Sequence, residues 1–109
     1  MIIAFLAAAA LSPPDAADAR CIALMNFMIA KGNPQQQTAA RAGTIYFVGK
    51  LRGRTPGVNV AAVLKTAADE ATRTKMNAQV EVKRCGEEVS AAANSLRSAA
   101  GAPATPRKP

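Results

Sequence analysis

Apolar side chains recur at helical spacing in the first third of the chain. Counting from Cys21, they return at offsets of 3, 4, 7 and 8 residues. These residues are Leu24, Met25, Met28 and Ile29. The stripe predicts a short amphipathic helix that ends near Gly32. Phe27 lies off this stripe, so we expect it to face away from the core.

A second helix is predicted from Pro34 to about Gly53. Asn33 provides a side-chain cap before it, and proline is well suited to the first helical position. Residues 44–51 are apolar around most of the circumference, which favours a central helix buried between its neighbours. A strand is the alternative for this β-branched and aromatic run, but the run lacks alternation and has no second strand to pair with.

A turn separates the two halves of the chain, because residues 54–58 contain Pro56-Gly57. Asn59 is then placed to cap a third helix, in which apolar residues recur from Val60 at helical spacing. Its predicted inward face consists of Val60, Val63, Leu64, Ala67, Ala68 and Ala71. A break is expected at residues 72–74.

The last predicted helix begins after Asn77 and carries a heptad-like seam. The seam residues are Ala78, Val82, Cys85, Val89, Ala92, Leu96 and Ala99. Spacings that alternate between 4 and 3 suit a helix that lies almost antiparallel along others in a compact bundle. The predicted fold is therefore all-α, a small four-helix bundle.

Cys21 and Cys85 are the two cysteines of the chain. In an exported protein such a pair most simply forms one disulfide, which here closes a loop of about 65 residues and contributes roughly 4 kcal/mol. A metal site would need further ligands, and a redox pair would have closer spacing. We therefore expect a structural disulfide and no metal.

The termini predict export. Residues 1–11 form an uncharged apolar run that is followed by Pro13-Pro14 and by small residues up to Ala19, a pattern typical of a secretory signal cut after Ala19. The apolar run is too short for a membrane-spanning helix. We therefore expect a signal peptide at 1–19, a helical domain at 20–101, a disordered basic Pro/Ala tail at 102–109, and a periplasmic or secreted location.

The composition argues against an enzyme. The 109 residues include no His and no Trp, so the commonest general base is missing. The carboxylates in helices are adjacent or fit local ion pairs, and no serine has a histidine to activate it. We expect no catalytic residues and no cofactor.

Fourteen Lys and Arg against seven Asp and Glu give a net charge of +7. The densest group, Arg41, Lys50, Arg52 and Arg54, is a candidate anion-binding site, although solvated surface charge is the simpler interpretation. Nucleic acid is not an expected partner, because no aromatic residues interleave the cations. Anionic envelope material, such as lipid headgroups or acidic polymers, is the alternative.

Candidate partner-binding residues are Phe27, Arg54, Pro56 and Gly57. Phe27 is a large side chain off the inward face, and the other three lie in or beside the central loop. Another envelope protein is the expected partner.

The chain contains Cys21, then Tyr46-x-x-Gly49, then Cys85. This pattern resembles that of HdeA-like acid-stress chaperones and of the immunity proteins that neutralise secreted amidase toxins. The segment Arg84-Cys85-Gly86 is similar to one in uncharacterised alphaproteobacterial envelope proteins. The resemblance implies a non-catalytic binding protein of the chaperone or inhibitor type. An acid trigger requires carboxylates that stabilise the fold, and the low carboxylate content argues against one here.

Overall fold

The computed structural model describes residues 11–104, with side chains to residue 100, and this part of the chain is entirely helical outside its turns. The four helices are α1 (Pro13–Lys31), α2 (Pro34–Arg54), α3 (Val60–Thr74) and α4 (Ala78–Ala104). The predicted all-α architecture with four helices is confirmed. The predicted signal peptide is not tested by this fold, because residues 1–10 lie outside the described part.

Side-chain caps determine where the last three helices begin. Asn33 accepts a hydrogen bond from the Gln36 amide while the Gln36 side chain accepts one from Asn33, a complete capping box. Asn59 accepts from the Ala62 amide and begins α3. In the same way, Asn77 accepts from the amide of Val80 at the start of α4.

The start of α1 differs from the sequence prediction. The helix begins at Pro13, eight residues before Cys21, with Ser12 as its cap. Pro13 and Pro14 occupy the first turn, where a missing amide hydrogen costs nothing because that hydrogen would have no partner within the helix. Ala19 therefore lies inside a continuous helix and is fully buried.

The central helix is α1 rather than α2, because α1 packs against each of the other three. It runs antiparallel to α2: Met25 faces Gly43, Asp18 faces Lys50, and Asp15 faces Thr55. A β-carbon on Gly43 would lie only 3.0 Å from the Met25 sulfur, so glycine permits the close approach of the two helices.

The core lies between α1 and its neighbours. Its buried residues are Ala19, Cys21, Ile22, Met25, Ala40, Phe47, Leu51, Val63, Ala67 and Cys85. The predicted burial of residues 44–51 holds for Phe47 and Leu51 but not for Ile45, which is 74% exposed. Ile45 lies about 200° around the helix from Phe47, so the two cannot face the same neighbour.

The predicted disulfide is confirmed. Cys21 and Cys85 are bonded, their Cα atoms are 5.6 Å apart, and both residues are fully buried. The bond joins the middle of α1 to the first half of α4.

Only the first half of α4 follows the predicted compact packing. Cys85 is buried, and Val82, Val89 and Ala92 are partly covered. Leu96 is 72% exposed and Ala99 is exposed, so the second half extends beyond the core. Helical backbone continues to Ala104, so the first three residues of the predicted disordered tail are helical. Residues 105–109 lie outside the described range.

None of the helices in the described part combines the length and the apolar character that crossing a membrane requires.

Candidate functional site

The structure does not bring the predicted anion-binding group together. Lys50 and Arg54 are one turn apart on the face of α2 that meets α1, and both pair with carboxylates. Arg52 lies about 200° around the helix from each of them. Arg41 and Arg52 are exposed and have no ion pair among the described residues.

Asp18 is the centre of the ion pairs between α1 and α2. Its side chain is almost completely buried, the residue being 2% exposed, and Lys50 Nζ lies 3.1 Å from its Oδ1. Arg54 pairs with the second oxygen of Asp18 and also donates from Nε to Asp15 at 2.8 Å. Lys50 additionally pairs with Glu88 of α4. These charges link three helices and explain how a carboxylate is tolerated in the core.

Hydrogen bonds at this junction shift the pKa values of Asp15 and Lys50 in favour of the charged forms. The guanidinium of Arg54 holds the pKa of Asp15 below its usual value, against the opposing effect of burial. Burial alone would lower the pKa of Lys50, but the hydrogen bonds to Glu88 and Asp18 outweigh it and raise that pKa. The contacts between these helices therefore favour the charged forms of Asp15 and Lys50.

A second ionic cluster covers the disulfide. Glu81 accepts from Arg84 at 2.7 Å and from Arg20 at 3.1 Å. Arg84 also donates to the carbonyl of Ala17 at 3.2 Å, and its Nη2 lies 3.3 Å from the Cys21 sulfur. Burial would raise the pKa of Glu81, but its two arginine partners lower it. The ion pair of Glu81 and Arg84 within α4 is thus part of a contact between α1 and α4.

The remaining positive charge is exposed. Six described cations make ion pairs, and six do not. The six without an ion pair among residues 11–100 are Lys31, Arg41, Arg52, Arg73, Lys75 and Arg97. Glu70 is the one described carboxylate outside the ion pairs. The excess charge is therefore carried by exposed side chains and not by the ionic junctions.

Phe27 lies beside an apolar cavity of about 330 Å³, which we call the Phe27 cavity. Its lining comes from α1, α3 and the turn into α4. The lining residues are Arg20, Ala23, Leu24, Phe27, Ala67, Ala68, Ala71, Met76 and Ala78. Phe27 is 63% exposed, which agrees with its position off the inward stripe. The sequence had indicated the aromatic residue but not the cavity, since the lining alanines are spread over three helices.

The loop carrying Pro56 and Gly57 is exposed at the opposite end of α1 from Phe27. Thr55 donates to Asp15 at 3.2 Å, and Asp15 lies twelve residues, or about 18 Å, before Phe27 on the helix. Gly57 has a φ of +83°, a conformation that glycine adopts without strain. The candidate partner-binding residues therefore form two separate surfaces.

A second cavity of about 220 Å³ lies between α1, α2 and α4. Met25, Met28, Gly43 and Gly86 are among its lining residues. It is smaller than the Phe27 cavity, and no large exposed apolar side chain borders it. Both cavities are suited to binding apolar groups.

Within the part of the chain described, no group of three metal-ligating side chains is found. Comparison with protein-family models, with curated proteins and with solved structures finds no match to this chain.

Proposed function

We propose that this is a small non-catalytic binding protein of the cell envelope, which holds another envelope protein at the Phe27 cavity. The observation that carries the proposal is an aromatic side chain that is 63% exposed beside an apolar cavity of about 330 Å³. Exposed aromatic residues next to pockets are frequent anchors of protein interfaces. The disulfide and the ion pair between Arg20 and Glu81 fix α4 relative to α1, and α3 packs against α1 beside them.

Export is part of the proposal. A disulfide that closes a long loop persists in oxidising compartments, which supports a periplasmic or secreted location. The fold adds a restriction on processing, because a cut after Ala19 would remove Asp15 and the buried Asp18 from the ion pairs with Arg54 and Lys50. Removal of a leader on the N-terminal side of Ser12 leaves all four helices intact.

Site-specific photo-cross-linking tests the proposed surface. A photoreactive phenylalanine analogue is placed at Phe27 and, as a matched control, at the exposed Ile45 on α2. We expect discrete adducts with envelope proteins from position 27 and few from position 45. Equal adduct patterns from the two positions would contradict the proposed site.

Acid regulation remains compatible with the chaperone resemblance. Asp15, Asp18, Glu81 and Glu88 all lie in contacts between helices, and each makes at least one ion pair across an interface. The sequence argued against an acid trigger from the low carboxylate content alone. The lowered pKa values of Asp15 and Glu81, together with their place in contacts between helices, support a fold that loosens in acid.

The second candidate function is electrostatic association with anionic envelope surfaces. It is favoured by the six exposed cations that have no ion pair in the described part. Sedimentation with phosphatidylglycerol vesicles tests this function. The bound fraction should decline as the salt concentration rises from about 50 to about 500 mM, because salt screens the attraction between exposed charges. Absence of binding at low salt would contradict this function.

A further inference from the structure

We propose that the Phe27 cavity receives one bulky apolar side chain from an acidic segment of the partner. This inference rests on the proposed function and specifies the chemistry of its ligand.

The walls require an apolar occupant. Eight of the nine lining residues present aliphatic, thioether or aromatic side chains. The ninth is Arg20, whose guanidinium is already held by Glu81 at 3.1 Å. A polar group inserted here would lose its water without gaining a partner, whereas an apolar group would gain from burial.

The charges beside the opening are positive. Lys31 follows Phe27 by one helical turn and therefore lies on the same side of α1. Lys75 adjoins the lining residue Met76, whereas Arg73 lies about 200° around α3 from the lining residue Ala71 and faces away from the cavity. Lys31 and Lys75 are exposed and have no ion pair among the described residues. We call this set the cationic rim.

One carboxylate of the protein itself lies near the cationic rim. Glu70 follows the lining residue Ala67 by three residues on α3, and its side chain is partly buried and makes no ion pair in the described structure. Asp69 is occupied by Lys65 at 3.1 Å. The rim consequently retains a net positive charge, and complementarity requires negative charge on the partner next to its apolar anchor.

The dimensions favour a side chain over a lipid chain. The α1 residues that line the cavity extend from Arg20 to Phe27, about 10 Å along the helix axis. One leaflet of a bilayer has a hydrocarbon depth of about 15 Å, so an acyl chain would extend beyond the cavity. A single aromatic or branched aliphatic side chain fits within it.

The probe is a ten-residue peptide with one central Phe and Glu at most other positions. Two matched peptides replace the Phe with Ser, or the Glu residues with Lys. Binding is measured by amide chemical-shift changes in the full-length protein. We expect saturable shifts at residues 23–27, 67–71 and 76–78 with the Phe-containing acidic peptide, and at least a tenfold weaker response to each matched peptide.

Variants then separate the apolar anchor from the charges. Phe27→Ser should weaken peptide binding at least tenfold, while Ile45→Ser, which removes a comparably exposed residue elsewhere, leaves it unchanged. Replacing Lys31 and Lys75 with Gln should weaken binding several-fold and reduce its salt dependence. The matched change at Arg41 and Arg52 should do neither. Circular dichroism verifies that each variant is folded.

Three results would overturn the inference: no shifts around the cavity with the acidic Phe peptide, equal binding of the Phe and Ser peptides, or binding to phosphatidylglycerol vesicles that depends on Phe27 while the peptide does not bind. The proposed function fails separately. If cross-linking from position 27 yields discrete adducts but the peptide does not bind, the surface is correct and the assigned chemistry is wrong.

Discussion

Asp18 of α1 is buried against Lys50 of α2, with 3.1 Å between Oδ1 and Nζ. The carboxylate contacts Arg54 through its other oxygen and so receives a cation on each side. Neither cation is fully buried, since each keeps about a third of its side chain exposed (34% for Lys50 and 35% for Arg54). The ion pairs are therefore strengthened because little water reaches the carboxylate. The two cations remain partly hydrated, so their desolvation costs only a moderate amount of free energy.

Asp18→Asn should lower the free energy of unfolding by about 1–3 kcal/mol, because the amide has nearly the same shape but cannot neutralise two cations. Asp69→Asn is the matched control: its exposed pair with Lys65 should contribute less than about 1 kcal/mol. Urea denaturation measures both. Equal losses in the two variants would show that the buried position of Asp18 confers no special stability.

The fold should lose stability in acid. The pKa values of Asp15 and Glu81 are lowered by folding from their ordinary values of 3.8 and 4.5. For a depressed pKa, the stabilisation is complete above the unfolded value and disappears as the pH falls through the folded value. We therefore expect the free energy of unfolding to be constant from about pH 7 to 5 and to decrease below about pH 4.5.

Glu81→Gln tests that assignment. The variant should be less stable at neutral pH and should show a shallower decline in acid, as measured by urea denaturation at several pH values. Glu87→Gln is the control, because Glu87 pairs only with Lys83 on the surface of α4. A decline that is the same in Glu81→Gln as in the unaltered protein would assign the acid sensitivity to other groups.

A chain that begins at Arg20 should be much less stable than one that begins at Leu11. The shorter chain lacks the buried Ala16, Asp18 and Ala19, and it leaves Lys50 and Arg54 without two of their carboxylates. Loss of the Asp18 ion pairs suggests about 1–3 kcal/mol, and loss of the buried Ala16 and Ala19 side chains adds to it. Thermal unfolding followed by circular dichroism compares the two chains.

The mass of the protein isolated from the periplasmic or culture fraction provides an independent check. An N-terminus at Ser12 or before it is expected, since all four helices then remain complete. An N-terminus at Arg20 in folded protein would contradict the importance of residues 13–19.

Replacement of Leu51 should destabilise the protein far more than replacement of Leu96. Leu51→Ala removes a fully buried core side chain and should cost about 2–5 kcal/mol. Leu96→Ala changes an exposed position on α4 and should stay within about 0.5 kcal/mol. Urea denaturation distinguishes them, and a large effect at Leu96 would mean that the second half of α4 packs against something in solution.

Local sequence was sufficient to predict the helix boundaries that depend on caps. Asn33, Asn59 and Asn77 each form the expected hydrogen bond, because a cap involves residues only two or three positions apart. The disulfide followed from the presence of just two cysteines. These features need no knowledge of the tertiary structure.

The extent of α1 was missed because residues 12–20 fit two patterns at once. Small residues before Ala19 agree with a leader cleavage site, but Ala16, Ala19 and Ile22 also continue the buried stripe of the helix backwards at three-residue spacing. The pairing of Asp18 with α2 lies beyond any local pattern, since the two partners are more than thirty residues apart.

The packing of α4 was overestimated for a different reason. Alanine favours helix formation whether or not a neighbour is present, so an alanine-rich seam marks a helix without showing that it is covered. Leu96 has the right spacing and yet remains outside the core. The Phe27 cavity was missed for the same reason, since the alanines that line it have side chains too small to fill the space between the helices.

The bond between Cys21 and Cys85 closes a ring that contains all of α2 and α3. The exposed turn at Pro56 and Gly57 belongs to that ring, whereas both chain ends lie outside it. A protease that severs this turn would consequently produce two polypeptides that migrate as one molecule until a thiol reagent separates them. Under oxidising conditions, damage at this exposed turn does not divide the protein.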